Sequence, residues 1–550
     1  MKGLKWLSTR CALPASLGLI VACGSSGSTS PQHKGVLTIV PSPKGNFTEN
    51  FNPYALNYLD GTFGLLYEPL LAVHRYTGDV KPWLASQYTY SSDGKTLTFD
   101  LRTDVKWSDG AAFSADDVAF TFNMLKQFPA ADGQSIWSVT DSVEEPDSST
   151  IVVHFKVPAV PYLWYIGGLT AIVPKHIFSA MADPTKDMNT RPVGTGPFLL
   201  DSFAPSLYTF KANDNYWQPG RPSIAEVHYP ALDSNTTADQ VLQTGGLDWA
   251  GVFTPNIQAY KQASPNNFYY WPGANVVMLY LNLAKAPFND LALRQAISLA
   301  IDRNAIATKG ESGFVQVAHP SGLILPANQD YMAPQYASMA YGAPDLTQAH
   351  QVLTQAGYTI NASGAVLDKS GNPITLKVDV VTGWTDWDAS AQIIVDNLNA
   401  LGLSASLNSL AYSDFNSAMG QGTYDAAISW TFPGPTPYYL FNSLLSSAAT
   451  APIGQSAATN WSRYSDPATD GLLQQFAGAT GVDVKKQAIA GLETVMINQL
   501  PSLPLFYGVA FYEYSTARFT GWPDSGNLFE APSPYNHPDD ARVILALTPR

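Results

Sequence analysis

The sequence predicts an α/β protein, on two observations. Its N-terminal third is rich in short strands and poor in helices, and from about residue 285 onward helical and strand-like segments alternate, the pattern of helices layered on a sheet. Val36-Leu37-Thr38-Ile39-Val40 opens the folded body as a β-branched run ahead of Pro41. Gly61 to Leu71 is expected to be helical after its glycines, ending near Pro69. The period of two in Thr96–Leu101 predicts a half-buried strand after the turn Ser92-Asp93-Gly94-Lys95. Ser114-Ala115-Asp116-Asp117 has the S-x-x-D form of a capping box, opening a helix with Val118, Phe122 and Leu125 on one face. Asp141 to Val157 returns to strand, with a turn at Glu145-Pro146-Asp147. Strands follow at 196–211 and 224–229, then helices at 291–307, 346–356, 389–401 and 484–500, with strands 375–381 and 424–430 between them.

The N-terminus has the form of an export signal. Lys2, Lys5 and Arg10 precede a mostly apolar stretch from Cys11 to Ala22, too short to span a membrane stably. Ile20-Val21-Ala22-Cys23 resembles a bacterial lipobox, with Ile at the position usually held by Leu. Residues 1–22 are therefore expected to be a signal peptide, Cys23 to carry lipid, and the Gly/Ser-rich 23–35 to be a flexible tether. Two acyl chains on one cysteine suffice for stable anchoring. The chain has two cysteines; if Cys11 leaves with the signal and Cys23 is acylated, no internal disulfide forms.

Composition narrows the function classes. Thirteen Trp, 28 Tyr and 25 Phe with only 13% charged residues describe an aromatic chain whose polar surface leans on neutral residues, suited to work outside the cytoplasm. The net charge of -14 becomes about -17 once Lys2, Lys5 and Arg10 are removed, which argues against nucleic acid as a partner. Metal, cofactor and catalytic signatures are missing. The eight histidines show no H-E-x-x-H spacing, no G-x-S-x-G elbow occurs, and Gly94-Lys95-Thr96 lacks the earlier glycine of a phosphate loop. Asp109 and Asp116-Asp117 are read as a turn and a helix start, and Gly194-Thr195-Gly196 as a tight turn entering a strand, since Pro197 follows at once.

Eight motifs in collinear order carry a family resemblance: Leu66-Tyr67-Glu68-Pro69-Leu70-Leu71, Lys81-Pro82-Trp83-Leu84-Ala85, Asp93-Gly94-Lys95-Thr96, Val105-Lys106-Trp107-Ser108-Asp109-Gly110, Phe113-Ser114-Ala115-Asp116-Asp117-Val118, Val193-Gly194-Thr195-Gly196-Pro197-Phe198, Leu293-Arg294-Gln295-Ala296-Ile297 and Leu500-Pro501-Ser502-Leu503-Pro504-Leu505-Phe506. Together they make residues 36 to 530 resemble the family 5 extracellular solute-binding proteins of the oligopeptide, dipeptide and nickel type. The resemblance implies a two-lobed type II periplasmic-binding-protein fold, a Venus flytrap with an extra inserted small domain. Lobe one would take 36–66, 190–282 and 505–550 as its core, with 67–189 inserted, and lobe two 283–504. It further implies a monomer without cofactor or metal that closes on an oligopeptide or oligosaccharide. The protein would deliver that ligand to the permease subunits of an ABC importer, anchored by lipid to the outer face of the cytoplasmic membrane or in the periplasm. The alternative, a secreted hydrolase acting on oligosaccharides, would need a pair of catalytic carboxylates that the sequence does not identify.

The ligand class turns on one departure. Peptide-binding members of the family usually carry an aspartate just after the tryptophan-containing strand, here Tyr424 to Trp430, to pair with the peptide's amino group. Residues 431–437 hold no carboxylate. The runs Gly434-Pro435-Thr436-Pro437-Tyr438-Tyr439 and Trp522-Pro523 are similar instead to the subgroup that binds β-linked oligosaccharides such as cellobiose. Sugar sites pair flat aromatics with neutral amides, so Trp430, Tyr438, Trp249, Trp271 and Trp384 are expected as ligand contacts, with Asn282 as the polar one. Asp425 is expected to be structural.

Overall fold

A computed structural model describes residues 33–550. The signal peptide, Cys23 and nearly all of the tether lie outside the described residues. Three larger sheets organise the chain. The first has seven strands in the order Asn267–Tyr269, Glu513–Ser515, Trp249–Ala250, Lys34–Val40, Ile224–Pro230, Leu207–Ala212 and Phe198–Ala204. Its central strand Lys34–Val40 runs parallel to Ile224–Pro230 and to Trp249–Ala250. The second has five strands, Ser404–Leu410, Thr375–Val381, Ala426–Ser429, Gly273–Leu281 and Leu503–Val509. The third is a four-stranded antiparallel sheet of Ala85–Tyr90, Thr96–Leu101, Thr150–Phe155 and Thr140–Asp147.

An inner strand of the five-stranded sheet shows why it is apolar along most of its length. Along Gly273–Leu281, Val277, Leu279 and Leu281 face the helices Leu291–Ala300, Leu346–Gln355 and Thr385–Leu401. Val276, Met278 and Tyr280 face the opposite way, into a second core that includes Phe415, Met419, Tyr438 and Met496. Both faces are covered, so the strand reads as an unbroken apolar run without the alternation of a half-exposed strand. The four-stranded sheet does alternate: Leu97, Phe99 and Leu101 are buried while Thr96, Thr98 and Asp100 are only partly so. Helix Ala115–Gln127 covers it with Val118, Phe122 and Leu125.

The acidic cluster at the start of that helix is structural. Asp117 accepts hydrogen bonds from the backbone N–H of Ser114 (3.1 Å) and Lys175 (2.9 Å) and from the Trp107 indole (3.1 Å). Asp116 and Asp109 make surface pairs with Lys175 and His176. Gly194 and Gly196 lie against backbone. A Cβ on Gly196 would fall 2.2 Å from the Leu65 carbonyl, and the Gly196 N–H donates to Leu66 O at 2.9 Å, so only glycine allows this approach.

The structure departs from expectation in several places; the helix expected at 291–307, for one, ends at Ala300, and Ile301 is extended. Residues 61–71 do not form a helix. Thr62–Leu66 makes one irregular turn, because Phe63 is extended and Gly64 has φ of 110°, and Leu71–Val73 is already strand. The hairpin expected at 145–147 turns instead between Asp147 and Thr150, with Pro146 inside the strand. The crossings between lobes also differ from the boundaries drawn at 282/283 and 504/505. Gly273–Leu281 and Leu503–Val509 both belong to the five-stranded sheet, and the chain passes between sheets at 270–272 and 510–512. These crossings are paired: Tyr270 N–H donates to Tyr512 O at 2.9 Å and Ala510 N–H to Pro272 O at 2.8 Å.

Replacing Asp117 with Ala removes one charged acceptor from three donors and from the helix N-terminus. Urea unfolding is expected to show a loss of about 2–4 kcal/mol, with Asp117→Asn falling in between; a loss under about 0.5 kcal/mol would contradict the assignment.

Candidate functional site

In sheets of this kind, loops leaving the carboxyl ends of parallel strands build the ligand site. Three such ends lie side by side in the second lobe, because Thr375–Val381 pairs parallel with both Ser404–Leu410 and Ala426–Ser429. Each leads into an aromatic residue. Trp384 precedes helix Thr385–Leu401, Tyr412 opens helix Tyr412–Gln421, and Trp430 follows its strand directly. Trp384 lies 5.2 Å from Trp387, 5.9 Å from Tyr412 and 6.1 Å from Trp430 between ring centroids. Trp430 continues to Trp461 (5.7 Å) and Trp461 to Phe432 (5.2 Å). Trp387, Phe415 and Trp461 are buried and back the wall, while Trp384, Tyr412, Trp430 and Phe432 keep part of their surface open.

The first lobe presents its own strand end to this wall. Lys34–Val40 leads into Pro43 and Lys44. The Trp384 indole donates to Pro43 O at 2.9 Å, and the Lys44 ammonium sits 4.9 Å from the centroid of the Tyr412 ring. Asn416 Nδ2 donates to Asn57 Oδ1 at 3.1 Å, and Asn235 donates from its backbone to Gly383 O and from its side chain to Asp386, each at 2.9 Å. The two lobes thus touch around the wall.

Beside Lys44 lies a chain of ionisable groups. Its ammonium donates to both oxygens of Asp60, at 2.8 and 2.7 Å. His537 lies between Asp60 Oδ1 (3.0 Å from Nε2) and Asp540 Oδ2 (2.9 Å from Nδ1). A ring with a carboxylate at each nitrogen holds both protons and is a cation. Burial works against that charge, but Asp540 and Asp60 outweigh it and push the His537 pKa up to about 10. Burial likewise opposes ionisation of Asp60, yet Lys44 and His537 hold its carboxyl well below the ordinary range.

The residues expected from sequence separate into groups. Trp430 and Trp384 stand in the wall. Trp271 does not: it sits where the chain crosses between lobes, its indole donating to Glu513, its ring packed on Tyr269, Phe314 and Phe511. Burial of Glu513 raises its pKa to about 8. Trp249 is fully buried against Tyr512 and Trp522, with its indole spent on Pro532 O, so it is core and not a contact surface. Asn282 is also fully buried. Its amide donates to Gly422 O and Tyr424 O, and its oxygen accepts from Ala284 N–H, which leaves nothing to offer a ligand. Tyr438 lies inside helix Pro437–Leu445, 2% exposed and stacked on Phe476. The run it belongs to is a packing segment. A Cβ on Gly434 would sit 2.2 Å from the Trp164 ring, and Tyr439 donates to Pro161 O at 2.9 Å. Asp425 bonds Lys285 and the Lys377 N–H. Trp387, Tyr412, Trp461, Lys44, Asp60 and His537 were not singled out from sequence. The three-residue spacing of Trp384 and Trp387 was the one available signal; nothing local links Lys44 to His537.

Comparison with known proteins places this architecture. The family model described as bacterial extracellular solute-binding proteins, family 5 middle, matches residues 79–452. The chain belongs to that family. The solute-binding protein is 27% identical over 393 residues to the nickel-binding periplasmic protein of Escherichia coli, spanning 68% of this chain and 72% of that one. It is 25% identical over 509 residues to the dipeptide-binding protein of the same species, spanning 86% and 90%. Among solved structures, the Thermotoga maritima periplasmic oligopeptide-binding protein with mannohexaose bound matches with a TM-score of 0.86 and 27% identity. That match covers 94% of this chain and 98% of the other. The solute-binding protein is thus a two-lobed substrate-binding protein of ABC importers for peptides or related ligands, from an extracytoplasmic family. Among the described residues no helix is long and apolar enough to cross a membrane, and no group of three or more His, Cys, Asp or Glu is arranged to hold a metal ion.

The ion chain makes stability depend on pH in a defined direction. His537 has a folded pKa above its ordinary 6.5, so its contribution is complete below that value and is lost as pH rises through about 10. Asp60 is shifted down, so its contribution is present above its ordinary 3.8 and is lost only on acidification below it. Chemical denaturation is expected to show His537→Gln less stable than wild type by a few kcal/mol at about pH 5, with the gap closing toward about pH 10. A gap that does not change over that span would contradict a charged His537.

Proposed function

We propose that the solute-binding protein captures a neutral oligosaccharide between its lobes and releases it unaltered to an importer permease. The observation that carries this is the aromatic wall at three adjacent strand ends, followed by a segment, 431–437, without a carboxylate. Sugar rings present apolar faces to such a wall and hydroxyls at their edges. A peptide would bring an ammonium group that needs a free anion, because burying an unpaired charge is strongly unfavourable. Asp60, whose partner Lys44 lies against the Tyr412 ring, is already paired with Lys44 and His537. The mannohexaose held by the Thermotoga relative supports the same class. A β-linked glucan or mannan fragment fits best, and the protein acts as a monomer.

Thermal-shift and calorimetric titration with cello-, xylo- and manno-oligosaccharides and short peptides test this. A ligand at 100 times its Kd stabilises by about 2.7 kcal/mol, a readily measured shift. Shifts with sugars alone are expected; shifts with peptides alone would overturn the assignment. Trp430→Ala is expected to keep its fold and lose at least about tenfold in sugar affinity, as removal of a stacking ring costs on the order of 1–2 kcal/mol. Unchanged affinity would take Trp430 out of the site.

The same proposal includes anchoring by lipid on Cys23 after cleavage behind Ala22. Mass analysis of the mature N-terminus is expected to find an acylated cysteine, and Cys23→Ser to abolish the modification. An unmodified Cys23 would overturn the anchor.

A further inference from the structure

Resting on the oligosaccharide assignment above, we propose that Lys44, Asp60, His537 and Asp540 form the polar floor of the ligand cleft, reading sugar hydroxyls and excluding charged ligands.

Position is the first argument. Lys44 follows the carboxyl end of Lys34–Val40 and faces Tyr412 of the aromatic wall at 4.9 Å. The side chains of Lys44 and His537 keep 16% and 13% of their surface accessible, while Asp60 and Asp540 behind them keep 8% and 1%. Lys44 and His537 are thus the more accessible members of the chain, and the two carboxylates lie buried against them.

Hydrogen-bonding capacity is the second. An ammonium carries three N–H donors, and both bonds made by Lys44 go to Asp60, leaving one donor over. At the other end of the chain Asp540 Oδ1 is buried with no hydrogen-bond partner, and so is the Tyr229 hydroxyl. Burial raises the Tyr229 pKa, and the nearby charges of Asp540 and Asp60 raise it further. The accessible end of the floor thus offers a charged donor on Lys44, while the Asp540 end is sealed. A sugar hydroxyl donates one hydrogen bond and accepts others, and charge-assisted bonds are about twice as strong as neutral ones. With one ring face on Trp384 and Trp430, hydroxyls at the sugar's edge are placed to meet the Lys44 ammonium beside Tyr412.

Charge balance is the third. His537 stands between two carboxylates and Lys44 on one of them, so two cations face two anions. The floor has no net charge to offer. A uronate or a peptide terminus would enter as an uncompensated ion in a site screened from water. A neutral sugar meets no such penalty, so selectivity follows from the internal pairing itself.

Calorimetry with mannohexaose and with an oligomannuronate of equal length, on wild type, Asp60→Asn and Lys44→Met, tests this. Circular dichroism and melting curves establish that each variant is folded; Lys44→Met, at the accessible end, serves if Asp60→Asn does not fold. Wild type is expected to prefer the neutral sugar by tenfold or more. Asp60→Asn leaves a net positive floor and is expected to shrink that preference at least tenfold. Lys44→Met leaves a net negative floor and is expected to bind mannohexaose about tenfold more weakly, through loss of a charged hydrogen bond, and to reject the uronate further. Wild-type affinities for both sugars in a folded variant would overturn the floor while leaving the oligosaccharide assignment intact. A wild-type protein that binds peptide and neither sugar would overturn the assignment itself.

Discussion

The structure depends on how the two chain segments that join its lobes are held together. At 270–272 and 510–512 the backbone passes from one sheet to the other, and the two passages are hydrogen-bonded side by side. This pairing joins the two sheets, and the carboxyl ends of their parallel strands meet where Trp384 bonds Pro43 and Lys44 faces Tyr412. Trp271 and Glu513 brace it with an indole–carboxylate bond, and Phe314 and Phe511 fill the space around the indole. Everything assigned to function lies on the far side of that joint: the aromatic wall on one sheet, Lys44 and its neighbours on the other. Two joined segments also suit a hinge, since few residues need change conformation for the lobes to part.

The wall and the floor complement each other chemically. Trp384, Tyr412 and Trp430 supply broad apolar faces that gain by excluding water but choose weakly between ligands. In the proposed site the ion chain would supply direction and discrimination, at the cost of keeping four ionisable groups away from solvent. That cost is offset because each cation has a carboxylate and each carboxylate a donor. Closure then follows as differential binding: a ligand that meets both surfaces only when the lobes touch shifts the equilibrium toward the closed form.

Much of the fold was legible because local chemistry specified it. Thr375–Val381 and Thr96–Leu101 are strands with the bounds their patterns predict, and the helix after Ser114 starts at its capping box. What was not legible is what long-range packing decides. Gly273–Leu281 is plainly a strand, yet an apolar run buried on both faces carries no mark of which sheet it joins, and the expected crossing fell about ten residues late. The site shows the same limit. Aromatic side chains at Trp249, Tyr438 and Trp430 look alike in sequence, but Trp249 and Tyr438 are sealed in cores while Trp430 stands at a strand end. The partners of Asp60 come from residue 44 and residue 537, which no spacing rule connects.

Small-angle scattering with and without saturating mannohexaose tests the central claim most directly, that two lobes close on a neutral sugar without altering it. The sugar-bound protein should give the curve calculated from the touching lobes described here, the free protein a larger radius of gyration, and the sugar should be recovered intact. Identical curves in both states, or recovery of shortened sugar, would contradict the account.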